Sequence, residues 1–170
     1  MIRRVARTVL TAPLAGVAVV VNVNQSEVAH SLHSLPLTLL ENRRAEEGMA
    51  TSLHMAAEFL LQGSATAGVL LLGDQPGLTS IAIAAVVGAF QATGAALVQA
   101  VYEDGAGHPI LFARELFTEL MEVSGDEGGR SVVRRHREQV LRVSVPGGRP
   151  QDVDTQADYE ALWRGFDRWI

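Results

Sequence analysis

Apolar residues in this sequence fall into two patterns, which alternate along the chain. Short runs rich in Val, Ala and Leu are typical of buried strands, whereas apolar residues spaced at i, i+3, i+4 and i+7 are typical of amphipathic helices. The runs predict strands at residues 17–23, 37–40, 69–72, 95–101, 109–112 and 140–145. The stripes predict helices at 1–12, 26–34, 53–61, 80–90, 116–121 and 130–137, and a last helix with Tyr159, Leu162, Trp163 and Phe166 inside. This order predicts one three-layer α/β domain over residues 1–170, with a mainly parallel sheet.

The composition excludes several classes of protein. A length of 170 residues and a hydrophobic fraction of 48% suit one folded domain with a single core. The 14 basic residues are outnumbered by 19 acidic ones, for a net charge of −5, which argues against binding to nucleic acids or to a membrane surface. Cys and Lys are both absent. Their absence excludes disulfide scaffolds, thiolate zinc sites, Schiff-base lysines and Walker-type phosphate loops.

The N-terminal segment shares some features with a secretory signal. Three arginines precede an apolar run from residue 8 to residue 21. However, Pro13 and Gly16 interrupt the run, and no small-x-small cleavage site follows it. We therefore interpret the segment as an amphipathic helix with an apolar stripe of Ile2, Val5, Ala6 and Val9. No charge-free apolar stretch reaches membrane-spanning length, so we predict no membrane span and expect a cytoplasmic protein.

Polar residues that follow the predicted strands are the candidates for chemistry, because ligands bind at the carboxyl ends of the strands in such sheets. These positions are Asn42, the 48–52 turn, Asp74, the 105–108 and 125–129 loops, and residues 152–154. Asp74 precedes a Gln75-Pro76 step, which keeps the chain turning after the strand. Its carboxylate either binds a divalent cation or caps the turn.

Two further segments carry carboxylates or a glycine-rich turn. Asp152 and Asp154 are two residues apart, so in an extended segment their side chains point to opposite sides. One of them shares a crevice with Asp74 while the other caps or pairs, or both favour the dipole of the following helix. The 125–129 loop opens a helix whose backbone N–H groups are suited to receive a phosphate. Thr155 and Asp158 have the spacing of a capping box, and Thr79 or Ser80 is suited to cap the helix predicted at 80–90.

The histidines do not form a recognisable metal site in the sequence. His108 lies in a Gly-His-Pro turn that glycine and proline alone explain. The other histidines lack a carboxylate or a third histidine that completes a metal triad, and we interpret them as surface or packing residues: His30, His33, His54 and His136. Arg130 adds positive charge beside the glycine-rich turn, and we interpret the arginines that follow it as a solvated face.

Five motifs follow one another along the chain and are more specific together than any of them alone. They are Glu47-Gly48-Met49-Ala50-Thr51-Ser52-Leu53, Leu72-Gly73-Asp74-Gln75-Pro76, Gly107-His108-Pro109-Ile110-Leu111-Phe112, Gly125-Asp126-Glu127-Gly128-Gly129-Arg130 and Asp152-Val153-Asp154-Thr155. This series resembles the molybdenum cofactor cytidylyltransferase family, within the MobA-like nucleotidyltransferases. The resemblance covers residues 1–163, nearly the whole chain, and the Gly-Asp-Gln-Pro and Gly-His-Pro pair is its most telling part.

The resemblance implies a Rossmann-like nucleotidyltransferase fold and a specific reaction. The terminal phosphate of molybdopterin, carrying its metal, attacks the α-phosphorus of CTP, and pyrophosphate leaves. Positioning and charge neutralisation do most of the work in such a transfer. The resemblance also implies residue roles: Asp74 and Asp154 as the catalytic carboxylates that hold Mg²⁺, Asn42 and Ser52 beside the nucleoside, and His108 and Asp126 on the side of the pterin phosphate. A molybdoenzyme is the implied protein partner.

The sequence departs from the family pattern at its beginning. Family members begin with a strand and a loop, Leu-Ala-Ala-Gly-x-Ser-x-Arg-Met-Gly-x-x-Lys, that wraps the triphosphate, whereas Met1 here falls within the following helix. In family members the N-terminal strand and its loop together have on the order of 20–30 residues. In their sheet, this strand lies between the strands that correspond to residues 17–23 and 69–72. Either the start codon is misassigned, or the chain is a truncated relative that binds poorly or not at all. We expect the 170-residue chain itself to show little CTP-dependent transfer.

Two other functions stay open from the sequence. One is a sister nucleotidyltransferase that uses GTP or another phosphorylated acceptor, because only the residues around the nucleoside separate the two reactions. The other is a catalytically inactive binding or delivery module that retains the side of the site that binds the pterin. Parallel assays with CTP and GTP distinguish the sister enzyme from a cytidylyltransferase. The second predicts cofactor binding without magnesium-dependent nucleotide binding.

Overall fold

A computed structural model of the chain describes residues 1–153, Thr155, Asp158 and Glu160. Among these residues, the helices are α1 (Ile2–Leu10), α2 (Ser26–Leu32), α3 (Met49–Gln62), α4 (Ser80–Thr93), α5 (Phe117–Met121) and α6 (Arg130–Arg135). The strands are β1 (Ala18–Asn22), β2 (Thr38–Asn42), β3 (Ala67–Leu70), β4 (Leu97–Tyr102), β5 (Gly105–Ala113) and β6 (Leu141–Ser144). The inner stripe predicted for the last helix, from Tyr159 to Phe166, lies outside the described residues.

The strands form two sheets. β1 and β2 are a parallel pair, in which Ala18 lies opposite Thr38 and Asn22 lies opposite Asn42. The second sheet has the strand order β3-β5-β4-β6. Within the described part of the chain, β1 pairs only with β2, and β3 pairs only with β5. Among the described residues the two sheets are therefore separate between β1 and β3, where the family resemblance implies a further strand.

The second sheet is mixed, which corrects the prediction of a mainly parallel sheet. β5 runs antiparallel to both β3 and β4, and only β6 runs parallel to β4. The physical reason is the connection between β4 and β5, which consists of Glu103 and Asp104 alone. A two-residue connection forms a hairpin, whereas a parallel pair needs a crossover of a dozen residues or more. The α/β class itself is as predicted.

The central strands are buried on both faces, which produces three layers. Alternate residues of β4 and β5 belong to two different hydrophobic clusters, as the two-residue period of a strand requires. The first cluster includes Val98, Ala100 and Leu111 with Ile83 and Val86 of α4. The second includes Leu97, Ile110 and Phe112 with Leu53 of α3 and Phe117 of α5. Helix α4 therefore covers one face of this sheet, and α3 and α5 cover the other.

Helix α1 packs with the apolar stripe that its sequence predicts. Val5 and Val9 belong to the cluster shared with α4, β4 and β5, whereas Ala6 packs with Val21 of β1 and Leu32 of α2. One helix thus contacts the apolar residues of both sheets. No helix among the described residues is long and apolar enough to cross a membrane.

The predicted caps at two positions are confirmed. The Thr79 hydroxyl accepts a hydrogen bond from the backbone N–H of Ala82 at 3.2 Å, at the first turn of α4. At the other position, the backbone N–H of Thr155 donates to Asp158 Oδ2 at 2.9 Å, and the N–H of Asp158 donates to Thr155 Oγ1 at 3.2 Å. This is the reciprocal pattern of a capping box, with Asp in place of Glu.

The C-terminal end of α3 is held by the Arg114 side chain. Its guanidinium donates to the carbonyl oxygens of Leu61 at 2.7 Å, Gly63 at 2.9 Å and Ala65 at 3.0 Å. The last carbonyls of a helix have no partner within the helix, so an external donor at this place stabilises the helix end. Arg114 directly follows β5, and it therefore ties α3 to the sheet.

Substituting Arg114→Ala should lower the free energy of unfolding by about 1–2 kcal/mol, because several carbonyl groups lose a charged donor. The measurement is urea unfolding followed by circular dichroism. Arg137→Ala is the matched control, because the Arg137 side chain is 79% exposed and lies 3.9 Å from Glu138. The control should change the free energy of unfolding by less than about 0.5 kcal/mol. An equal effect of the two substitutions would show that Arg114 does not hold α3.

Candidate active site

The turn that follows β3 is bound by a segment from far along the chain. The backbone N–H of Val153 donates to the carbonyl oxygen of Asp74 at 3.0 Å. The side-chain amide of Gln75 donates to Asp152 Oδ1 at 2.7 Å. Residues 152–153 therefore lie against the 74–75 turn, and of the two predicted carboxylates Asp152 is the one that pairs with a side chain of this turn. Asp154 lies outside the described residues.

His108 lies in a bulge of β5, which corrects its predicted position in a turn. Gln99 of β4 lies opposite Ile110, and the next residue, Ala100, lies opposite Gly107, so that His108 and Pro109 have no partners in this ladder. Pro109 has no N–H to donate, which favours such an irregularity within a strand. The His108–Pro109 peptide bond is cis, and the carbonyl oxygen of His108 accepts a hydrogen bond from the Tyr102 hydroxyl at 2.7 Å.

The His108 side chain is held in its neutral form. Its exposed fraction is only 7%, and burial lowers the pKa of His108 to about 4. The charge of Arg130 contributes to this lowering of the pKa, and the charge of Asp152 opposes it. Asp152 therefore bonds to Gln75 of the 74–75 turn and acts electrostatically on His108, as Arg130 also does.

A second cluster lies at the end of β2 and the beginning of α3. Asn42 is 2% exposed, and its amide nitrogen donates to Thr51 Oγ1 and to Ser52 Oγ, both at 2.9 Å. Its amide oxygen accepts from the backbone N–H of Arg44 at 2.8 Å. The structure thus brings together Asn42 and Ser52, the two residues that the resemblance places beside the nucleoside, and adds Thr51. Both ends of the Asn42 amide are already in use, so this residue orients the two hydroxyl groups.

Asp126 connects this second cluster to the glycine-rich loop. Asp126 Oδ1 accepts from the backbone N–H of Met49 at 3.1 Å, at the first residue of α3. The N–H of Ala50 donates to the carbonyl oxygen of Gly125 at 3.0 Å. Gly48 has a φ of +115°, and a Cβ at this position would lie 3.0 Å from Asp126 Oδ1. The carboxylate therefore stabilises the N-terminus of α3, and only glycine fits the close approach.

The glycine-rich loop also reaches the first cluster. A Cβ on Gly129 would lie 2.7 Å from Leu70 Cδ2 and 3.2 Å from Phe112 Cζ, so the loop packs tightly against β3 and β5. This contact sets the position of Arg130, whose charge acts on His108. The loop at residues 125–130 therefore links the two clusters, with Asp126 beside α3 and Arg130 beside His108.

Buried polar residues mark the site. Asn42, Gln75 and His108 are the buried polar residues found among the described residues, and all three belong to the two clusters. Buried polar groups are informative because burying them is unfavourable unless they are hydrogen-bonded. Sequence reasoning missed Gln75, which it used only as the neighbour of Pro76, and it gave Thr51 no role. Their signal would have been a polar residue directly after a buried strand or at the start of a helix.

The other predicted polar residues lie outside these clusters. His54 Nε2 lies 2.6 Å from the carbonyl oxygen of Val123, and His136 Nε2 lies 2.9 Å from Glu119 Oε1. Arg134 is not simply solvated, because it pairs with Glu127 at 2.7 Å. The described residues contain no group of three or more His, Asp or Glu side chains arranged to hold a metal ion.

A family model for the MobA-like NTP transferase domain matches residues 1–140. The chain belongs to this family. The nucleotidyltransferase class and the Rossmann-like α/β fold predicted from the sequence are therefore confirmed, whereas CTP and molybdopterin are not decided at this level. No curated protein matches this NTP transferase.

Solved structures are similar to this NTP transferase over nearly its whole length. One is a homologue, from Mycobacterium sp. strain JC1, of Rv0371c of Mycobacterium tuberculosis, with 29% identity and a TM-score of 0.85. The match covers 99% of this chain and 84% of that one. Rv0371c of M. tuberculosis H37Rv in complex with manganese has 27% identity and a TM-score of 0.81, with 96% and 86% covered.

A more distant structure shares the fold alone. It is CMP:2-keto-3-deoxy-manno-octonic acid synthetase complexed with CTP, with 10% identity and a TM-score of 0.78. The match covers 99% of this chain and 88% of that one. The fold of this NTP transferase therefore recurs at low sequence identity.

The free energy of unfolding should depend on His108 between pH 6.5 and pH 4. The usual pKa of 6.5 is lowered to about 4 in the folded chain, so the unfolded chain binds more protons in this window. Stability should therefore decrease as the pH falls from 6.5 towards 4, by up to about 3 kcal/mol. Urea unfolding at several pH values measures this change in the free energy of unfolding. His108→Asn should remove this part of the pH dependence, and His30→Asn, at an exposed histidine, should retain it.

Proposed function

We propose that this NTP transferase transfers CMP from CTP to the terminal phosphate of molybdopterin and releases pyrophosphate. The observation that carries the proposal is the junction of the 74–75 turn with residues 152–153, whose Asp152 acts electrostatically, as Arg130 does, on buried, neutral His108. In an α/β sheet this end of β3 is the usual place for a ligand. The five motifs that resemble the molybdenum cofactor cytidylyltransferases supply the identity of the nucleotide and of the acceptor.

Asp74 and Asp154 are the proposed ligands of a divalent cation, Mg²⁺. The carbonyl oxygen of Asp74 bonds to the N–H of Val153, and Asp154 is the next residue in the sequence. Carboxylate oxygens are ligands that suit Mg²⁺ and Mn²⁺. A structure of the related Rv0371c contains manganese, which supports a site for such a cation in this fold. When bound, the cation neutralises negative charge on the nucleotide phosphates.

Asn42, Thr51 and Ser52 are the proposed nucleoside side of the site. Thr51 Oγ1 lies 3.0 Å from the carbonyl oxygen of Arg44 and 2.9 Å from that of Gly48, so its proton is used within the chain. Ser52 Oγ accepts from Asn42. Its own proton can therefore be donated to a ligand, and we assign Ser52 the contact to the nucleoside and Asn42 the positioning of Ser52.

Arg130 and His108 are the proposed acceptor side, with Asp126 behind them. A phosphate monoester carries most of its two negative charges at neutral pH, so the attacking oxygen needs no general base. The reaction instead requires a positive charge that brings the two anionic substrates together, and we assign this role to the guanidinium group of Arg130. The neutral ring of His108 offers a hydrogen bond without adding charge. Asp126 holds α3 and the glycine-rich loop together through Met49.

Transfer of labelled CMP from CTP to molybdopterin, with release of pyrophosphate, tests the function. The assay uses the 170-residue chain and the same chain extended by any in-frame codons upstream of Met1, with GTP in a parallel arm. Turnover with CTP and molybdopterin supports the proposal, whereas turnover with GTP alone favours the sister enzyme. Binding of molybdopterin without nucleotide turnover in either chain favours the delivery module and contradicts the proposal.

Asp74→Asn should lower kcat at least about 100-fold, because it removes a cation ligand without changing the size of the side chain. The measurement is steady-state kinetics over a range of Mg²⁺ concentrations, in the chain that turns over. Glu138→Gln is the control, since the Glu138 side chain is 86% exposed and belongs to neither cluster. A kcat of Asp74→Asn equal to that of the control would exclude Asp74 from the reaction.

A further inference from the structure

The Gln75 amide joins two segments that are 77 residues apart in the sequence. The Gln75 side chain is buried, at 6% exposed, whereas its partner Asp152 lies on the exposed surface. The next residue, Val153, is buried and bonds to the carbonyl oxygen of Asp74. One side-chain bond and one backbone bond therefore tie an exposed segment to the turn that carries Asp74.

The turn that provides the amide is itself anchored. The backbone N–H of Leu78 donates to the carbonyl oxygen of Gln75 at 3.1 Å, and Arg4 Nε of α1 donates to that of Pro76 at 3.3 Å. The proline ring restricts the backbone of this turn further. The backbone of residues 75–76 is therefore anchored by its own hydrogen bonds. The Gln75 side chain extends from this anchored turn and binds the segment at residues 152–153.

The orientation and the environment of the Gln75 amide indicate a role beyond packing. Only the amide nitrogen can donate to a carboxylate, so the contact with Asp152 Oδ1 sets which way the amide points. Its Oε1 atom is then buried without a hydrogen-bond partner among the described residues. An unpaired buried acceptor is unfavourable. A leucine or methionine would fill this space without that penalty, so what the glutamine adds is its bond to Asp152.

We propose that Gln75 is a positioning residue for nucleotidyl transfer. Its amide holds Asp152 and thereby keeps residues 152–153 against the turn that carries Asp74, the proposed ligand of the divalent cation. This inference rests on the proposed function, in which Asp74 and Asp154 share the cation. Gln75 acts through Asp152 and has no direct contact with the reacting atoms in this scheme.

The chain offers a matched set of variants to test the bond. Gln75→Glu has almost the same shape but places a second carboxylate 2.7 Å from Asp152, so repulsion should break the contact. Asp152→Asn keeps an oxygen that accepts from Gln75, so the contact should persist. The double variant Gln75→Glu with Asp152→Asn reverses donor and acceptor, because the new amide donates to the new carboxylate. It should restore the contact.

Two measurements follow the contact without any turnover. The first is the Mn²⁺ dissociation constant in the presence of a non-hydrolysable CTP analogue, and the second is the hydrogen-exchange rate of the Val153 amide. Gln75→Glu should weaken Mn²⁺ binding and speed Val153 exchange at least about 10-fold each, as for the loss of a coupled pair. Asp152→Asn and the double variant should stay within about threefold of the wild type.

Other results would overturn the inference. Wild-type values of both quantities in Gln75→Glu would show that the bond does not position the segment. A double variant no better than Gln75→Glu would show the same, because the restored amide–carboxylate pair would then be irrelevant. Thermal unfolding of each variant identifies a loss of folding. If Gln75→Glu does not fold, Gln75→Asn, which keeps the amide but is one methylene too short, should show the same two losses, and wild-type values in it overturn the inference.

The two proposals fail in different ways. If the wild type binds Mn²⁺ and this binding depends on Gln75, but no chain transfers CMP, the proposed function is wrong and the positioning role stands. If CMP transfer occurs and Gln75→Glu matches the wild type in kcat, in Mn²⁺ affinity and in Val153 exchange, the function stands and the positioning role is wrong.

Discussion

The pairing of β5 between β3 and β4 is the interaction on which the rest of the structure depends. β5 contributes residues to both hydrophobic clusters, with Leu111 on one face and Ile110 and Phe112 on the other. It also sets where β3 ends, because Leu70 lies opposite Ile110. Just beyond this pair, β5 bulges at His108 and β3 gives way to the turn of Asp74. The pairing of β3 with β5, which forms part of the core, thus brings the His108 bulge and the turn of Asp74 to the same end of the sheet.

The site is held together by contacts between segments that are distant in the sequence. Residues 152–153 reach the 74–75 turn through one backbone and one side-chain hydrogen bond, and Asp126 reaches the start of α3. Each contact closes a long loop, whose entropy has to be offset by the folded sheet beneath it. The site therefore exists only once the sheet and its helices have formed, and local structure in the unfolded chain would not assemble it.

Most elements could be predicted from the sequence because their signals are local. The valine run of β1, the stripe of α1 and the Thr79 cap need only neighbouring residues to be recognised. The direction of β5 was missed because the prediction starts this strand at residue 109, whereas it starts at Gly105 and leaves a connection of only two residues to β4. The bulge at His108 depends instead on the pairing with β4, and the Gly-His-Pro motif on its own suggests a turn. Gln75 and Asp152 show the same limit at the site. Their bond spans 77 residues, and neither residue type at its position predicts the other.

The distribution of charge at the site follows from the composition of the chain. A protein with a net charge of −5 and no lysine has little positive charge to offer two anionic substrates. The buried polar residues Asn42, Gln75 and His108 are all neutral, since the pKa of His108 is lowered to about 4. They therefore orient groups without adding repulsion or demanding a buried counter-ion. In the proposed function, charge neutralisation therefore falls to Arg130 and to a divalent cation, so the positions of the proposed carboxylate ligands matter more than they would in a site rich in lysine.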